Sequence, residues 1–182
     1  MKWSELSKRL PYSVPLALLL ILLAIGFRFL PHPANFTPLA AIALFSGVYL
    51  PRRYILIVPV AAMIVSDLFI GFHNLVLFTW GSFAFVGLIG WWIKKHKSVW
   101  TVTGGAVTAS LLFFLITNWA VMQFTPLYPA NVAGLIASYT AGIPFFRNML
   151  FGDLVYTGAL FGLYEAVAYY KLSRTVRAGS QT

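Results

Sequence analysis

The chain has 182 residues, of which 60% are hydrophobic and 9% are charged, with a formal net charge of +9. A soluble domain of this size cannot bury that much apolar surface, so the composition predicts a single-domain, all-α integral membrane protein spanning 1–182. The absence of cysteine excludes disulfides, thiolate metal sites and cysteine nucleophiles.

Six apolar stretches approach or exceed the roughly 18 to 20 residues that cross a bilayer core, and they predict a bundle of six transmembrane helices. The first stretch is too long for a cleavable signal peptide, and no small-residue cleavage site follows it. A cytoplasmic N-terminal segment, 1–12, and a cytoplasmic tail, 171–182, are predicted to flank the bundle. In chain order, the predicted helices are 13–30, 38–50, 54–72, 75–93, 98–124 and 144–170.

The basic residues predict the orientation of the bundle. Six alternating crossings place most of the thirteen Lys and Arg residues on one side, which by the positive-inside rule is the cytoplasm. The sequence therefore predicts a multi-pass protein of the bacterial cytoplasmic (inner) membrane with both termini inside. This topology accounts for the positive charge, so nucleic acid is not indicated as a partner. The residues on that side are Lys2, Lys8, Arg9, Arg52, Arg53, Lys94, Lys95, Lys97, Lys171, Arg174 and Arg177.

The second predicted helix is too short to cross the membrane. Its thirteen or so residues span about 20 Å, against a bilayer core of about 30 Å. Thr37 and Pro38 suit the N-cap and the first helical position. The first outer loop is therefore predicted to be partly reentrant, above a wet cavity that receives the helix N-terminus. A longer helix or a locally thinner bilayer would account for the same pattern.

The polar residues gather in the outer half of the predicted bundle. Asp67 is expected roughly 9 Å below the outer end of helix 3, and Asp153 roughly 13 Å down helix 6. Ionisable groups at such depths indicate a functional site, although Arg28 with Asp67 and Arg147 with Asp153 could equally form structural ion pairs. The candidate substrate-binding residues are Arg28, His32, Asn35, Asp67, His73, Asn118, Trp119, Arg147, Asn148, Asp153 and Tyr156.

A specific cavity follows from these positions. We expect Asp153 at its floor, with Tyr156, Asn118 and Arg147 on its walls and the 28–37 loop as its lid. Asp67 is expected to pair with Arg28 and so to fix the loop around the cavity.

Catalytic chemistry is not indicated. The chain has no zinc-protease, serine-hydrolase or nucleotide-binding motif. No sequence pattern indicates a nucleophile together with its general base. His32, His73, Asp67 and Asp153 could ligate a metal, but no local spacing places two of them on one helix face. We therefore expect no enzyme activity, no metal and no cofactor.

Three stretches carry a family resemblance: RFLPHPANFTPLAAIALFSG, VPVAAMIVSDLFIGFH and GIPFFRNMLFGDLVYTGALFG. They resemble an uncharacterised family of small bacterial proteins described only as candidate transporters. The architecture as a whole resembles the S component of energy-coupling factor (ECF) transporters, a membrane subunit that binds vitamins or other micronutrients. That resemblance implies a ligand site under the first and third outer loops, which carry His32, Asn35, Tyr128 and Asn131.

The same resemblance implies a transmembrane coupling subunit with ATPases as a partner. S components present an alanine-x-x-x-alanine motif on helix 1 to that subunit, whereas this chain has Ser13 and Ala17 at that spacing. A solitary transporter and a different partner therefore stay open. The sequence favours a transport protein that binds a small molecule from the outer side. The alternative is a structural or assembly subunit with the same fold, whose outer polar residues would pair off without a cavity.

Overall fold

The computed structural model describes residues 13–179, with side chains described through Tyr170 and at Ser173. The predicted N-terminal segment, 1–12, and the last three residues lie outside this range. The described part of the chain contains six helices joined by loops, and no strand. Its helices are α1 (Ser13–Phe29), α2 (Leu39–Tyr49), α3 (Tyr54–Ile70), α4 (Val76–Ile93), α5 (Val99–Phe124) and α6 (Val132–Gly179).

Local signals account for where several helices begin and end. The side chain of Ser98 accepts a hydrogen bond from Thr101 N at 3.1 Å, and Ser98 N donates to Thr101 Oγ1 at 2.9 Å, which forms a capping box at the start of α5. The α3 helix stops before Gly71, whose φ of 109° few other residues adopt. The predicted N-cap at Thr37 is wrong, because Pro38 occupies the cap position without a side-chain cap hydrogen bond.

The start of the last helix differs most from the prediction. The α6 helix begins at Val132, well before Pro144, and it continues past the predicted end at residue 170. The side chain of Asn131 accepts a hydrogen bond from Gly134 N at 2.9 Å and so caps the first turn. Pro144 therefore lies inside the helix, where it removes one backbone hydrogen bond.

Packing against α5 holds this early part of α6 in place. Ser138 Oγ donates to the backbone oxygen of Asn118 at 2.8 Å, and Tyr139 OH donates to that of Leu115 at 3.0 Å. The residues predicted as a long outer loop thus form a helical hairpin with α5.

The short helix α2 lies at the centre of the bundle, and every one of its residues is buried. Its backbone lies directly against α4 through glycines on both helices. A Cβ atom on Gly47 would overlap the carbonyl oxygen of Gly87, and one on Gly90 would overlap that of Leu44. Only glycine permits so close an approach. The predicted short second helix is confirmed.

The two basic loops lie at one end of the bundle. Arg52, in the α2–α3 loop, lies 5.0 Å from the ring centre of Trp91, and Lys95, after α4, lies 5.7 Å from the same ring. Lys94 Nζ is 3.4 Å from the backbone oxygen of Leu50. The structure therefore brings together the two basic loops that were predicted to share one side.

The outer surface of the bundle is strongly apolar. Leu22, Phe69, Leu77 and Trp100 are 66%, 76%, 74% and 85% exposed, and many other large apolar side chains share this exposure. Among the described helices, two, α4 and α5, are long and apolar enough to cross a membrane by length and composition. The secondary structure of residues 13–179 is thus all helical, with an apolar exterior and two candidate membrane-spanning helices.

Candidate functional site

A cavity of about 300 Å³ opens at the end of the bundle opposite the basic loops. Its wall is formed by the end of α1, the α1–α2 loop, the N-terminus of α2 and parts of α3 to α6. Several predicted site residues meet there. Its lining is formed by Arg28, His32, Asn35, Thr37, Leu39, Ala40, Met63, Ile70, His73, Thr79, Phe83, Phe113, Met149 and Asp153.

The α1–α2 loop covers this cavity and is fixed on α6. Phe36 packs over Gly152, so that a Cβ atom there would lie 3.0 Å from Phe36 Cδ2. Asn148 Nδ2 donates to the backbone oxygen of Ala34 at 3.2 Å. Asn35 adopts a φ of 62°, in the left-handed region that asparagine tolerates better than most residues. The loop thus lies where a lid was expected.

Two histidines extend into the cavity wall from different loops. His32 Nδ1 lies 3.0 Å from the backbone oxygen of Pro33, while His32 Nε2 is buried and has no hydrogen-bond partner among the described residues. His73 Nδ1 accepts from Leu75 N at 3.2 Å. The structure therefore leaves this imidazole nitrogen of His32 buried and unpaired beside the cavity that the residue lines.

Arg28 and Asp67 form the predicted ion pair, with 2.7 Å between Nη2 and Oδ1. Trp80 Nε1 donates to the other carboxylate oxygen at 2.7 Å. The second guanidinium nitrogen, Nη1, donates to Ser66 Oγ and lies 3.2 Å from Met63 Sδ. Asp67 itself does not line the cavity, but it holds the arginine that does.

Asp153 lines the cavity from α6 and is 1% exposed. Ser110 Oγ donates to its Oδ2 at 2.6 Å. The alternative in which Asp153 forms a structural ion pair with Arg147 is wrong, because no cationic side chain in the described part of the chain pairs with Asp153. Six residues separate the two positions, which places them about 120° apart around the helix and about 9 Å apart along it. Arg147 lies instead in an exposed surface groove with Asn148.

Three other candidate substrate-binding residues also lie outside this cavity. Tyr156 packs against the rings of Phe27 and Phe36, at 5.5 and 5.3 Å between centroids. Trp119 is 41% exposed and packs beside Phe124. Asn118 lines a neighbouring cavity, because the early start of α6 covers the C-terminal half of α5.

That neighbouring cavity, of about 260 Å³, was not predicted from the sequence. We call it the aromatic chamber, because four phenylalanines and Tyr128 contribute to its wall. It shares Asn35, Phe113 and Met149 with the first cavity, so the two adjoin. In the sequence, the Phe-Phe pairs at 113–114 and 145–146 are the feature from which this chamber could have been predicted. The chamber is lined by Asn35, Phe113, Phe114, Thr117, Asn118, Val121, Leu127, Tyr128, Ser138, Ala141, Gly142, Phe145, Phe146 and Met149.

The arrangement can hold an organic molecule more readily than a metal ion. No three His, Asp or Glu side chains in the described residues lie close enough together to hold a metal. The cavities instead combine apolar walls with a few polar groups, which is typical of small-molecule sites.

Comparisons with known proteins identify one family. No curated protein and no solved structure matches the chain significantly. Residues 8–176 match a family described as a family of unknown function, DUF6580. Since the match covers nearly the whole chain, this protein belongs to the DUF6580 family.

Proposed function

We propose that this chain is a multi-pass protein of the bacterial cytoplasmic membrane that binds a vitamin or another small micronutrient from the outer side, as S components do. The apolar exterior supports a membrane location. Exposed leucine and aromatic side chains cover the helices, while Asp67 and Asp153 are buried inside. In water such a surface would associate non-specifically, whereas in a bilayer it is solvated.

The distribution of charge supports the orientation. The α2–α3 and α4–α5 loops carry Arg52, Arg53, Lys94 and Lys95 at one end, and such loops remain in the cytoplasm. The cavity opens at the other end, beneath the α1–α2 loop. The binding site would therefore face outward.

The cavity beside Asp153 is the observation that carries the proposal. A purely structural subunit would pair its buried polar groups and leave no void. Arg28 and Asp67 do pair in that way, but Asp153, His32 and His73 line open space together. Binding of a ligand would give these three residues a role, which supports the binding function over the assembly role.

The proposal includes a partner that supplies energy. This partner would have to dock on a surface other than the face of α1 that carries Ser13 and Ala17. Ser13 and Ala17, which stand where S components carry their docking alanines, are buried inside the bundle. They do not offer a free face to a coupling subunit. The chain contains no nucleotide-binding motif, so ATP hydrolysis would belong to a partner.

Native mass spectrometry of the detergent-purified protein tests the proposal. We expect a small molecule to accompany the wild-type chain and to be lost from Asp153→Asn. Glu165→Gln, which removes a carboxylate beside Lys97 at the basic end of the bundle, is the matched control and should retain it. A folded, empty chain that co-purifies with a stoichiometric membrane partner would favour the assembly role instead.

A further inference from the structure

We infer that the ligand is a small organic cation whose positive nitrogen pairs with Asp153 and whose flat apolar part occupies the aromatic chamber. This inference rests on the proposed binding function and names the chemical class of its ligand. It starts from the charges around the two cavities.

Asp153 is a buried carboxylate without a counter-charge. Its one described partner is the Ser110 hydroxyl, and no described residue donates to its other oxygen, Oδ1. An ionised carboxylate in an apolar interior is costly unless a cation or several hydrogen bonds compensate it. One hydroxyl group is incomplete compensation.

Arg28, the arginine that lines the cavity, is already paired with an acid. Arg28 is held by Asp67, Ser66 and Met63, so that its charge is neutralised within the pair. When Asp153 is ionised, its negative charge is left without a partner among the described cationic side chains of the cavity. The N-terminus of α2 adds a partial positive charge of about one half, which reduces the negative field without reversing it. A cationic ligand restores neutrality, and an anionic one would double the imbalance.

The aromatic chamber favours a flat, apolar group as the rest of the ligand. Phe114 lies 4.9 Å from Phe146, ring centre to ring centre, and Phe113 lines both cavities. Such rings favour a flat or aromatic group and also attract a cation at their faces. Asn118 and Ser138 add a few polar atoms at the chamber wall. A single ligand that reaches from Asp153 past Phe113 would satisfy both cavities.

Three probes of similar size but different charge separate the possibilities. Benzyltrimethylammonium is a permanent cation, benzyl alcohol is neutral and phenylacetate is an anion. Binding to the detergent-purified full chain can be followed by isothermal titration calorimetry. We expect saturable binding of the cation, weaker binding of the alcohol and none of the anion.

The Asp153→Asn variant should weaken cation binding about ten-fold or more, which is the usual scale for losing a charged partner, and should leave benzyl alcohol unchanged. Glu165→Gln is the control and should bind all three probes as the wild type does. Circular dichroism and size-exclusion chromatography should be used to check that each variant is folded. If Asp153→Asn does not fold, Ser110→Ala, which leaves the carboxylate in place, should preserve the preference for the cation.

The outcomes distinguish this inference from the binding function itself. Saturable binding of the alcohol or of phenylacetate in preference to the cation would overturn the charge inference and leave the binding function standing. Equal cation binding by the wild type and Asp153→Asn would also overturn it. If none of the three probes binds saturably, the result would count against both the charge inference and the proposed binding function.

Discussion

Arg28 and Asp67 connect α1 to α3 through an ion pair 2.7 Å long, with the aspartate side chain 1% exposed and the arginine 15% exposed. Trp80 of α4 donates to the same carboxylate. Three helices therefore converge on one buried acid. The acid belongs to the framework of the site, while its arginine partner reaches the cavity.

Breaking this pair should destabilise the fold. Arg28→Gln and Asp67→Asn are each expected to lower the free energy of unfolding by about 3 to 5 kcal/mol, because each leaves a buried charge unpaired. The double variant should cost less than the sum of the single variants. Thermal unfolding in detergent provides the measurement.

The pair between Lys97 and Glu165 is the matched control for this experiment. Its side chains are 24% and 35% exposed, so Lys97→Gln and Glu165→Gln should each cost about 1 kcal/mol or less. Strictly additive losses at Arg28 and Asp67 would contradict the coupling that the geometry implies.

The close contact between α2 and α4 predicts opposite effects for two glycine substitutions. Gly47→Ala forces a methyl group against the backbone of Gly87, and we expect a loss of about 1 to 3 kcal/mol in the free energy of unfolding. Gly158→Ala meets no atom within 4 Å and should gain up to about 1 kcal/mol from helix propensity. Equal unfolding temperatures for the two variants would contradict this packing.

The position of the lid predicts a binding effect without unfolding. Gly152→Ala places a Cβ atom 3.0 Å from Phe36 Cδ2, so the phenylalanine and its loop must shift. If the proposed ligand binds here, we expect Gly152→Ala to weaken its binding at an almost unchanged unfolding temperature. Gly162→Ala, with no atom within 4 Å, is the control. Unaltered binding in Gly152→Ala would mean that this contact does not position the lid.

The absence of native cysteine permits a direct test of orientation. Pro126→Cys, in the α5–α6 loop, should react with a membrane-impermeant maleimide in intact cells. Lys95→Cys, in the α4–α5 loop, should react only after the cells are lysed. The reverse pattern would invert the proposed topology.

Much of the helix pattern and one ion pair could be predicted from the sequence. Pro38 and Pro51 bracket α2, so its short length followed from their positions. Asp67 was expected to form an ion pair with Arg28 because few cationic residues lay at the outer ends of the predicted helices. Local signals and simple charge counting were sufficient in both cases.

The start of α6 could not be predicted in the same way. Pro144 is a typical first residue of a helix, and the preceding residues are small and only moderately apolar. Their helical structure depends on tertiary contacts, such as that of Ser138 with the backbone of Asn118. Asn131 was the one local signal for the true start, as an N-cap residue. The aromatic chamber was missed because the hairpin that forms it was missed.

The burial of α2 has a consequence for biogenesis in the proposed membrane arrangement. Its eleven residues span about 16 Å, so α2 cannot by itself be inserted across the bilayer as a spanning unit. Its neighbour α4 is made later, and the Glu165 side chain that accepts a hydrogen bond from Tyr49 lies 116 residues further along the chain. Until those segments emerge from the ribosome, α2 lacks the surfaces that bury it. The bundle should therefore close only near the end of synthesis, and chains truncated before α6 should be recognised as incomplete and degraded.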